Sequence, residues 1–427
     1  MERQADAATA TPGTDPRRVL AAATAVLLAL ALASCGRAGK PPVSPASPGA
    51  TPPTAATAPL EQLTDRPLNF AEQRLASAAD RLDPSAGYPR ATGADGHWQL
   101  GDADNWTSGF FAGTLWLLYE HTHDPVWRSR AERWTTGLES QATRTDTHDL
   151  GFMIFNSFGH EYLLTGAPHA RDVAVTAARS VATRYNPAVG AIKSWDVDSS
   201  MPATWRFPVI IDNMMNLELL YWAADQPGGT PAWAELASHH ALTSATTNLR
   251  PDGSTAHVAL FDPATGAFLG QDTWQGQSPT STWSRGQAWA IHGFTDAYRL
   301  SRRPELLDAA QRTADWFLAH LPPDQVPYWD FNAPDIPNTE RDASSAAIAA
   351  SGLVELGRLT GGPRGDGYRG AAQRIVESLS TNYLTSSGND AVLAHSVGFH
   401  RENGEVDAGI VYADYYLLEA LLRLRGE

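Results

Sequence analysis

The sequence predicts an all-α domain, an (α/α)6 toroid or six-hairpin barrel, in which outer and inner helices alternate around a ring. Three observations support this prediction. Apolar residues recur with helical spacing in twelve stretches. Every second stretch is rich in Gly, Ala and aromatic residues, which suits helices that are packed on all sides. These inner stretches also open with polar or charged residues, at intervals of about 45 to 70 residues.

Helix-breaking residues separate the stretches, for example Asp124-Pro125 and Arg303-Pro304. Small residues such as Gly113 and Gly352 let the inner helices approach one another closely. The predicted helices span 69–83, 106–121, 126–139, 151–165, 168–184, 211–224, 231–246, 283–300, 304–320, 342–360, 367–382 and 408–425. Taken in pairs, they give six helical hairpins.

One segment interrupts the helical pattern. The residues from Ala256 to Phe268 are typical of strands, and Asp262-Pro263 followed by Thr265-Gly266 supplies a turn between them. We therefore expect one short β-hairpin inserted into the ring of helices.

The N-terminal 35 residues resemble a bacterial lipoprotein signal peptide. Arg17-Arg18 precedes an apolar run from Val19 to Ala33, and the only cysteine, Cys35, follows small residues. Residues 1–35 are therefore predicted to be a signal peptide with Cys35 as the lipidated residue. The alternatives are a plain signal peptide that contains a cysteine, or a membrane anchor that is never cut. The favoured prediction places the protein outside the cell, lipid-anchored on the outer face of the bacterial cytoplasmic membrane.

The remaining chain divides into a linker and one domain. Residues 36–62 are dominated by Pro, Ala, Ser and Thr, which is typical of a disordered spacer. From residue 63 to residue 427 the composition is globular without a second linker. We therefore expect a single domain of catalytic size.

Composition limits the partners. The net charge of −15 argues against nucleic acid and against an anionic membrane surface, since both require clustered Lys and Arg. The only membrane attachment expected is the N-terminal lipid anchor, and no protein partner is inferred. A single cysteine excludes an intramolecular disulfide. The 14 Trp and 12 Tyr favour a concave surface that stacks on sugar rings, although large helical cores also use them.

The polar openings of the six inner stretches indicate a shared pocket. One polar residue at a helix start is ordinary N-capping, but six such starts suggest helix ends that converge on one mouth, as in an enzyme. The openings are Asn105-Trp106-Thr107, His148-Asp149, Asp212-Asn213, Trp283-Ser284-Arg285, Arg341-Asp342 and Asp407.

Two carboxylates among these openings are candidates for acid–base chemistry. Asp212 lies in the apolar stretch 209–217, where desolvation raises a carboxyl pKa and suits a general acid. Asp149 is a second carboxylate that could orient or balance the first, as glycoside chemistry requires. The alternative is that both only cap their helices. His148 alone is more typical of a hydrogen-bonded structural histidine.

The sequence contains no motif for metal, serine-nucleophile or nucleotide chemistry. No pair of histidines with metal-ligand spacing occurs at the helix openings, so neither a metal nor another cofactor is expected. A Gly-x-Ser-x-Gly elbow, a P-loop and a dinucleotide glycine motif are also missing from the sequence.

Arg285 lies between Trp283 and Trp289, where a guanidinium could bind a substrate carboxylate while Trp283 stacks on the sugar. The alternative is a buried ion pair with Asp149 or Asp212. Trp106 and Trp195 are candidate sugar platforms, although a lone Trp more often packs in a core.

Seven motifs, in order between about residues 65 and 425, resemble the unsaturated glucuronyl hydrolase family. They are Trp106 to Trp116, His148 to Phe152, Asp212 to Asn216, Ser281 to Trp289, Tyr328 to Phe331, Arg341 to Ala347 and Tyr412 to Tyr416. The resemblance implies an (α/α)6 barrel that removes the terminal Δ4,5-unsaturated uronic acid left by polysaccharide lyases. It also implies that the reaction begins with hydration of the C4=C5 bond.

When the roles of the family's residues are transferred motif by motif, the resemblance implies that Asp212 is the general acid and base. It implies that Asp149 orients the sugar and supports its charge. The uronate subsite would be lined by His148, Trp106, Trp195, Gln275, Trp283 and Arg285.

The chain departs from the family pattern in two places. Trp274 stands where relatives often have His, which affects one substrate contact. The segment from Ser396 to Arg401 keeps the first Ser and a cation of a motif that resembles sulfate-accepting relatives, but it lacks the middle Ser.

Two other functions compete with this interpretation. An unsaturated rhamnogalacturonyl hydrolase would use the same barrel and chemistry on pectin fragments, but the motifs at 281–287 and 412–416 favour the glucuronyl family. A catalytically silent, lipid-anchored oligosaccharide-binding protein would need the Trp and Arg residues only. The presence of both Asp149 and Asp212 argues against it.

Overall fold

The computed structural model describes residues 59–197 and 201–427. The predicted signal peptide, Cys35 and residues 36–58 of the predicted linker lie outside these ranges. In the described part of the chain, no helix combines the length and the apolar character needed to cross a bilayer.

The predicted alternation of outer and inner helices is confirmed within the described ranges. The outer helices are α1 (Leu60–Arg81), α3 (Pro125–Thr136), α5 (Pro168–Ala182), α7 (Ala232–Thr247), α9 (Pro304–His320) and α11 (Gly362–Asn382). The inner helices are α2 (Ser108–Thr122), α4 (His160–Thr165), α6 (Leu217–Ala224), α8 (Ser284–Ser301), α10 (Ala343–Thr360) and α12 (Val411–Arg425). The last inner helix, α12, packs against both α10 and α2, so the inner helices form a closed ring.

Burial distinguishes the two rings. In α2, every residue from Ser108 to Leu118 is buried, and in α10 the same holds from Ala343 to Gly357. The outer helix α9 instead buries Leu306, Ala309, Ala310, Thr313, Ala314 and Phe317, which form one face at helical spacing. An inner helix therefore needs small or apolar residues on all its faces, whereas an outer helix needs one apolar stripe.

Two inner helices open with a turn that is not α-helical. A π-helix over Gly151–Gly159 precedes α4, and a 3-10 helix over Ile211–Asn216 precedes α6. The Asn216 Oδ1 accepts a hydrogen bond from the Phe152 N–H at 2.9 Å, which joins the two openings. Wide π-turns are frequent at functional sites, and this one directly follows Asp149.

Seven short strands occur in the described ranges and form three small antiparallel sheets. They are β1 (Tyr88–Thr92), β2 (Trp98–Gly101), β3 (Tyr185–Asn186), β4 (Ala191–Ile192), β5 (Phe207–Ile210), β6 (Val258–Phe261) and β7 (Phe268–Asp272). The predicted hairpin is present as β6–β7. Its turn is closed by Asp262, whose side chain accepts hydrogen bonds from the N–H groups of Ala264 and Thr265. The pairs β1–β2 and β3–β4 were not predicted, because strands of two to five residues carry too little pattern.

The strand β5 was not predicted either, and it is important for the site. It pairs with β6 in the register Ile210↔Val258. This pairing holds the start of the 3-10 turn at Ile211 beside the residue that precedes β6.

Two helix starts differ from the prediction. The helix α1 begins at Leu60, so residues 60–62, assigned to the linker, form its first turn. The predicted helix began at residue 69, after Pro67. An interior proline usually ends a helix, but here Pro67 lies inside α1. The helix α11 begins at Gly362 rather than at residue 367, since Pro363 occupies the first turn, where its missing N–H has no helical partner.

Candidate active site

Asp212 is a buried carboxyl with an unpartnered oxygen. The residue is 8% exposed, and its Oδ2 atom makes no hydrogen bond. Burial raises its pKa to about 7; the charge of Arg285 offsets part of this increase, and the nearby Asp149 adds to it. Asp212 therefore holds a proton up to neutral pH, although a free Asp loses it near pH 4.

The strand β5 places this carboxyl. Its last residue, Ile210, donates its N–H to Ser194 Oγ at 2.9 Å, and Ile211 donates its N–H to the His257 carbonyl at 3.0 Å. The chain then turns into the 3-10 helix at Asp212. The position of Asp212 is therefore fixed by the hydrogen bonds of the two residues that precede it.

His257, which the sequence analysis missed, faces Asp212. Its Nε2 atom lies 3.7 Å from Asp212 Oδ2, and its Nδ1 accepts the N–H groups of Trp274 and Gln275 at 3.1 Å each. Burial, assisted by the charge of Arg285, lowers the pKa of His257 to about 3, so the ring is neutral. Because Nδ1 is an acceptor, the ring proton lies on Nε2 and points toward Asp212.

Asp149 pairs with His148. The Nδ1 of His148 donates to the Ser194 carbonyl at 2.7 Å, and its Nε2 lies 3.2 Å from Asp149 Oδ1. Burial lowers the pKa of His148, and Asp149 opposes this shift. A neutral His148 with its proton on Nδ1 turns the Nε2 lone pair toward Asp149.

Arg285 is 1% exposed, and its cation lies over the rings of Trp283 and Tyr412, at 4.4 Å and 5.2 Å from their centroids. Its Nη2 donates to the Gly398 carbonyl at 2.7 Å, and its Nη1 donates to the Val397 carbonyl. Gln275 Nε2 also donates to the Gly398 carbonyl, at 3.3 Å. Both side chains therefore hold the loop around Gly398 against the site.

The acidic partner of Arg285 is Asp342, at 3.6 Å, rather than either carboxylate named in the sequence analysis. Asp342 caps α10 by accepting the Ser344 N–H at 3.1 Å, and it also accepts the Val397 N–H at 3.3 Å. The reason is geometric: α8 and α10 are neighbours in the ring, so their openings meet.

Aromatic rings form the floor of the site. Trp106 is partly buried and stacks on Tyr412 with centroids 5.2 Å apart, and it also contacts Phe152 at 5.5 Å. Trp289 contacts Phe152 at 5.4 Å, so the floor joins rings of the inner helices α8 and α12 with rings of the openings before α2 and α4. Trp195 lies on another side, 5.7 Å from the His257 ring.

Two residues of the predicted openings, Asp407 and Arg341, supply no side chain here. The side chain of Asp407 is 59% exposed and pairs with His395 at 2.5 Å. Its helix begins only at Val411, so Asp407 belongs to the preceding turn. Arg341 pairs with Asp324 at 3.2 Å and covers the Tyr328 ring, so its opening contributes only Asp342. The site is thus formed by five of the predicted openings together with His257, Trp289 and Tyr412, which were not among the candidate residues.

No group of three or more His, Cys, Asp or Glu side chains within residues 59–197 and 201–427 is arranged to hold a metal ion. Arg285 is paired with Asp342, whereas Asp212 Oδ2 and His257 Nε2 face each other without a hydrogen bond. What the site offers chemically is a protonated carboxyl beside a second carboxylate, with aromatic faces around them.

Comparison with known proteins gives concordant similarities. The sequence profile of Glycosyl Hydrolase Family 88 matches residues 85–407. An unsaturated glucuronyl hydrolase of Formosa agariphila is 42% identical over 327 residues, covering 75% of this chain and 80% of the relative. An unsaturated chondroitin disaccharide hydrolase of Streptococcus pyogenes serotype M1 is 33% identical over 79% of this chain and 85% of the relative. The crystal structure of an unsaturated glucuronyl hydrolase specific for heparin superposes with a TM-score of 0.82 and 37% identity, covering 86% of this chain and 98% of that one.

Proposed function

Because the chain belongs to Glycosyl Hydrolase Family 88, we propose that its site removes the terminal Δ4,5-unsaturated uronic acid from oligosaccharides released by polysaccharide lyases. The substrates are of the glycosaminoglycan type, as the names of the relatives suggest. One observation carries the assignment of the acid. Asp212 is buried with a free oxygen and a pKa of about 7, so it holds a transferable proton at neutral pH.

The first step is protonation of the enol ether. Asp212 gives its proton to C4 of the unsaturated sugar, and the positive charge that develops at C5 is shared with the ring oxygen. Water then adds to C5 and gives its proton to the Asp212 carboxylate, which returns the acid to its starting form. Addition of one water has then converted the double bond into a hemiketal.

The second step releases the leaving sugar. The bond between C5 and the ring oxygen breaks, C5 becomes a ketone, and the former ring oxygen becomes a hydroxyl on C1. This C1 hemiacetal collapses to an aldehyde and expels the next sugar as an alcohol. The balance is one substrate and one water in, and two products out.

The other side chains support these steps. The His257 Nε2–H, 3.7 Å from Asp212 Oδ2, stabilises the Asp212 carboxylate when it has lost its proton, after a shift of about half an ångström that brings the two atoms into hydrogen-bond distance. The Asp149–His148 pair orients the sugar hydroxyls. Trp106, Trp195, Gln275, Trp283 and Arg285 complete the uronate subsite, and Arg285 supplies the positive charge that a uronate requires.

The test is loss of ultraviolet absorbance by the conjugated double bond. The full chain is incubated with unsaturated disaccharides from chondroitin, hyaluronan, heparin and rhamnogalacturonan. We expect loss with a glycosaminoglycan disaccharide and its disappearance in Asp212→Asn. The matched control is Asp414→Asn: Asp414 in α12 is also buried and its pKa is also raised to about 7, but both of its oxygens are occupied, because they accept the N–H groups of Val392 and Leu393.

Three outcomes would change the proposal. Turnover of the rhamnogalacturonan disaccharide alone would assign the chain to pectin fragments. Binding without turnover of any disaccharide would make it an oligosaccharide-binding protein. Turnover that persists in Asp212→Asn would assign the acid to another residue.

We also propose that Cys35 is lipidated and holds the exported domain at the outer face of the cytoplasmic membrane. The support is the sequence around Cys35, since a basic start and an apolar run lead to small residues before it. Metabolic labelling of the full chain in a bacterium with an alkyne fatty acid tests this. Label should enter the membrane-bound wild type and be lost, together with membrane retention, in Cys35→Ser.

A further inference from the structure

Arg184 is a buried cation that joins two separate segments of the site. It follows the outer helix α5 and is 8% exposed. Its Nε donates to the Lys193 carbonyl at 2.9 Å, and its Nη2 donates to the Ser194 carbonyl at 3.3 Å. Its Nη1 donates to the Thr145 carbonyl. One guanidinium therefore ties the segment around Ser194 to the segment that begins at Thr145.

The segment that begins at Thr145 carries Asp149. Residues 145–148 belong to no helix or strand. Asp149 exchanges two hydrogen bonds of 3.1 Å with a threonine of the same segment, one from its N–H and one to its Oδ2. His148 Nδ1 donates to the Ser194 carbonyl at 2.7 Å. The position of Asp149 therefore follows that of its segment, and the guanidinium binds the carbonyl at each of the two anchor points, Thr145 and Ser194.

Ser194 gives this segment a fixed reference to Asp212. Ser194 is fully buried; its N–H donates to the Pro208 carbonyl at 3.0 Å, and its Oγ accepts the Ile210 N–H at 2.9 Å. Both partners belong to β5, and Ile210 lies two residues before Asp212. The Ser194 carbonyl that Arg184 binds is therefore tied to the strand that places the acid.

The carbonyl contacts, and not the ion pair, fix the geometry of Arg184. Its acidic partner is Asp196, at 3.2 Å, but the Asp196 side chain is 57% exposed. Ion pairs with an exposed partner contribute little to stability. The carbonyl bonds use all three nitrogens of the guanidinium, whose planar fork holds several acceptors in one arrangement. Loss of this one side chain therefore releases the two segments from each other.

We propose that Arg184 is a positioning residue, which sets the placement of Asp149 relative to Asp212. This inference rests on the proposed function, in which both carboxylates act on one sugar. Arg184 acts through the Thr145 and Ser194 carbonyls and not on the sugar itself. Without the fork, Asp149 keeps its chemistry but loses its fixed position beside the acid.

A double-mutant cycle tests this role. The value of kcat/KM is measured for the wild type, Arg184→Gln, Asp149→Asn and the double variant, on the unsaturated disaccharide that the wild type turns over. In the wild-type background, Arg184→Gln should lower kcat/KM about 100-fold, as a displacement of about 1 Å does. In the Asp149→Asn background, the same change should cost less than about threefold, because no carboxylate is left to position. An equal loss in both backgrounds would overturn the inference.

The pH profile gives a second readout, which a loss of folded protein does not move. The charge of the nearby Asp149 helps to raise the pKa of Asp212. The fall of kcat/KM with rising pH, as Asp212 loses its proton, should therefore begin at lower pH in Asp149→Asn. It should shift in the same direction in Arg184→Gln, where Asp149 is displaced. A shift in Asp149→Asn with none in Arg184→Gln would contradict the positioning role.

Amide hydrogen exchange tests the connection without any substrate. Peptides that span 145–153 and 191–197 contain the hydrogen-bonded amides of Asp149 and Ser194. These peptides should exchange faster in Arg184→Gln than in the wild type, and unchanged exchange would overturn the inference. If the wild type turns over no unsaturated disaccharide, the proposed function fails, and exchange alone then decides whether Arg184 holds the two segments together.

Two further variants separate positioning from stability. Arg423→Gln removes a largely buried arginine that likewise donates to a backbone carbonyl, that of Ser351 at 3.2 Å, and pairs with Glu419 at 3.2 Å. It should lower the melting temperature and leave kcat/KM within about twofold of the wild type. A loss as large as in Arg184→Gln would assign both losses to stability and overturn the inference. Should Arg184→Gln fail to fold, Arg184→Lys takes its place in the cycle, because it keeps the buried charge and loses the fork.

Discussion

At the scale of single residues, the protonation of Asp212 decides when the site can work. Its folded-state pKa of about 7 lies above the ordinary value, so the acid form persists through the mildly acidic range. His257 adds no titration near neutrality, because its pKa is lowered to about 3. One descending limb should therefore dominate the pH profile.

We predict that kcat/KM is level below about pH 7 and falls about 10-fold per pH unit above it, because the proton that Asp212 donates is lost there. Initial rates between pH 5 and pH 9 check this prediction. A profile that stays level to pH 9 would mean that Asp212 is not the acid.

His257 gives a second prediction. In His257→Asn, an amide oxygen can still accept the N–H groups of Trp274 and Gln275, but the donor beside Asp212 is gone. We expect kcat to fall about 100-fold, as for the loss of one preorganised donor.

The matched control is His240→Asn. His240 is also fully buried, its pKa is also lowered to about 3, and its Nδ1 accepts the Ile192 N–H at 3.0 Å. It should lose stability without losing kcat. Equal kcat values in the wild type and His257→Asn would show that the Nε2 proton plays no part in the reaction.

Which site residues could be predicted from the sequence depended on how far apart they lie along the chain. Asp212 was recognisable because a carboxylate in an apolar run is physically unusual. His257 was not, because only the pairing of β5 with β6 brings it to Asp212, and such a register cannot be read from one strand. The predicted ion-pair partner of Arg285 was wrong for the same reason, because the pairing depends on which helix openings are neighbours in the ring.

At the scale of elements, helix packing was predictable and short strands were not. A helix of the inner ring repeats small and aromatic residues over some four turns, whereas β3 and β4 have two residues each. Trp274 illustrates the difference. In the sequence it was a departure from a family pattern, and in the structure its ring packs edge-on against Trp205, with centroids 5.9 Å apart, a contact that no local pattern contains.

The link between the π-turn and the 3-10 turn supports a prediction on stability. Asn216→Ala leaves the buried Phe152 N–H without its acceptor, so the free energy of unfolding should fall by about 1–3 kcal/mol. Urea unfolding of the wild type and of Asn216→Ala measures this loss. An unchanged free energy of unfolding in Asn216→Ala would contradict the role given to this hydrogen bond.

At the scale of the whole molecule, a buried ionic cluster joins three inner helices away from the openings. His292 in α8 lies 2.8 Å from Asp296 and 2.8 Å from Glu419 in α12. Arg423 pairs with Glu419 at 3.2 Å and donates to the Ser351 carbonyl of α10 at 3.2 Å. Burial lowers the pKa of His292, but the two carboxylates outweigh it and raise the value to about 9.

This raised pKa predicts the pH dependence of stability. Because the folded value exceeds the unfolded one, the stabilisation by charged His292 is complete below about pH 6.5 and is lost as the pH rises through about 9. We expect the free energy of unfolding to fall by about 3 kcal/mol across this window. Denaturant unfolding at pH 6.5 and pH 9.5 measures it, and His292→Gln should remove most of the slope. An unchanged slope in that variant would assign it to other groups.

The closure of the ring by α12 has a consequence for biosynthesis. Trp106 stacks on Tyr412, so the floor of the site joins residues that the ribosome makes about 300 positions apart. While the chain emerges, five inner helices can exist before α12 supplies Tyr412 and meets α2. A nascent chain that stops before Val411 therefore lacks both Tyr412 and the helix that closes the ring, and we expect a protein truncated there to be as inactive as one truncated near its start.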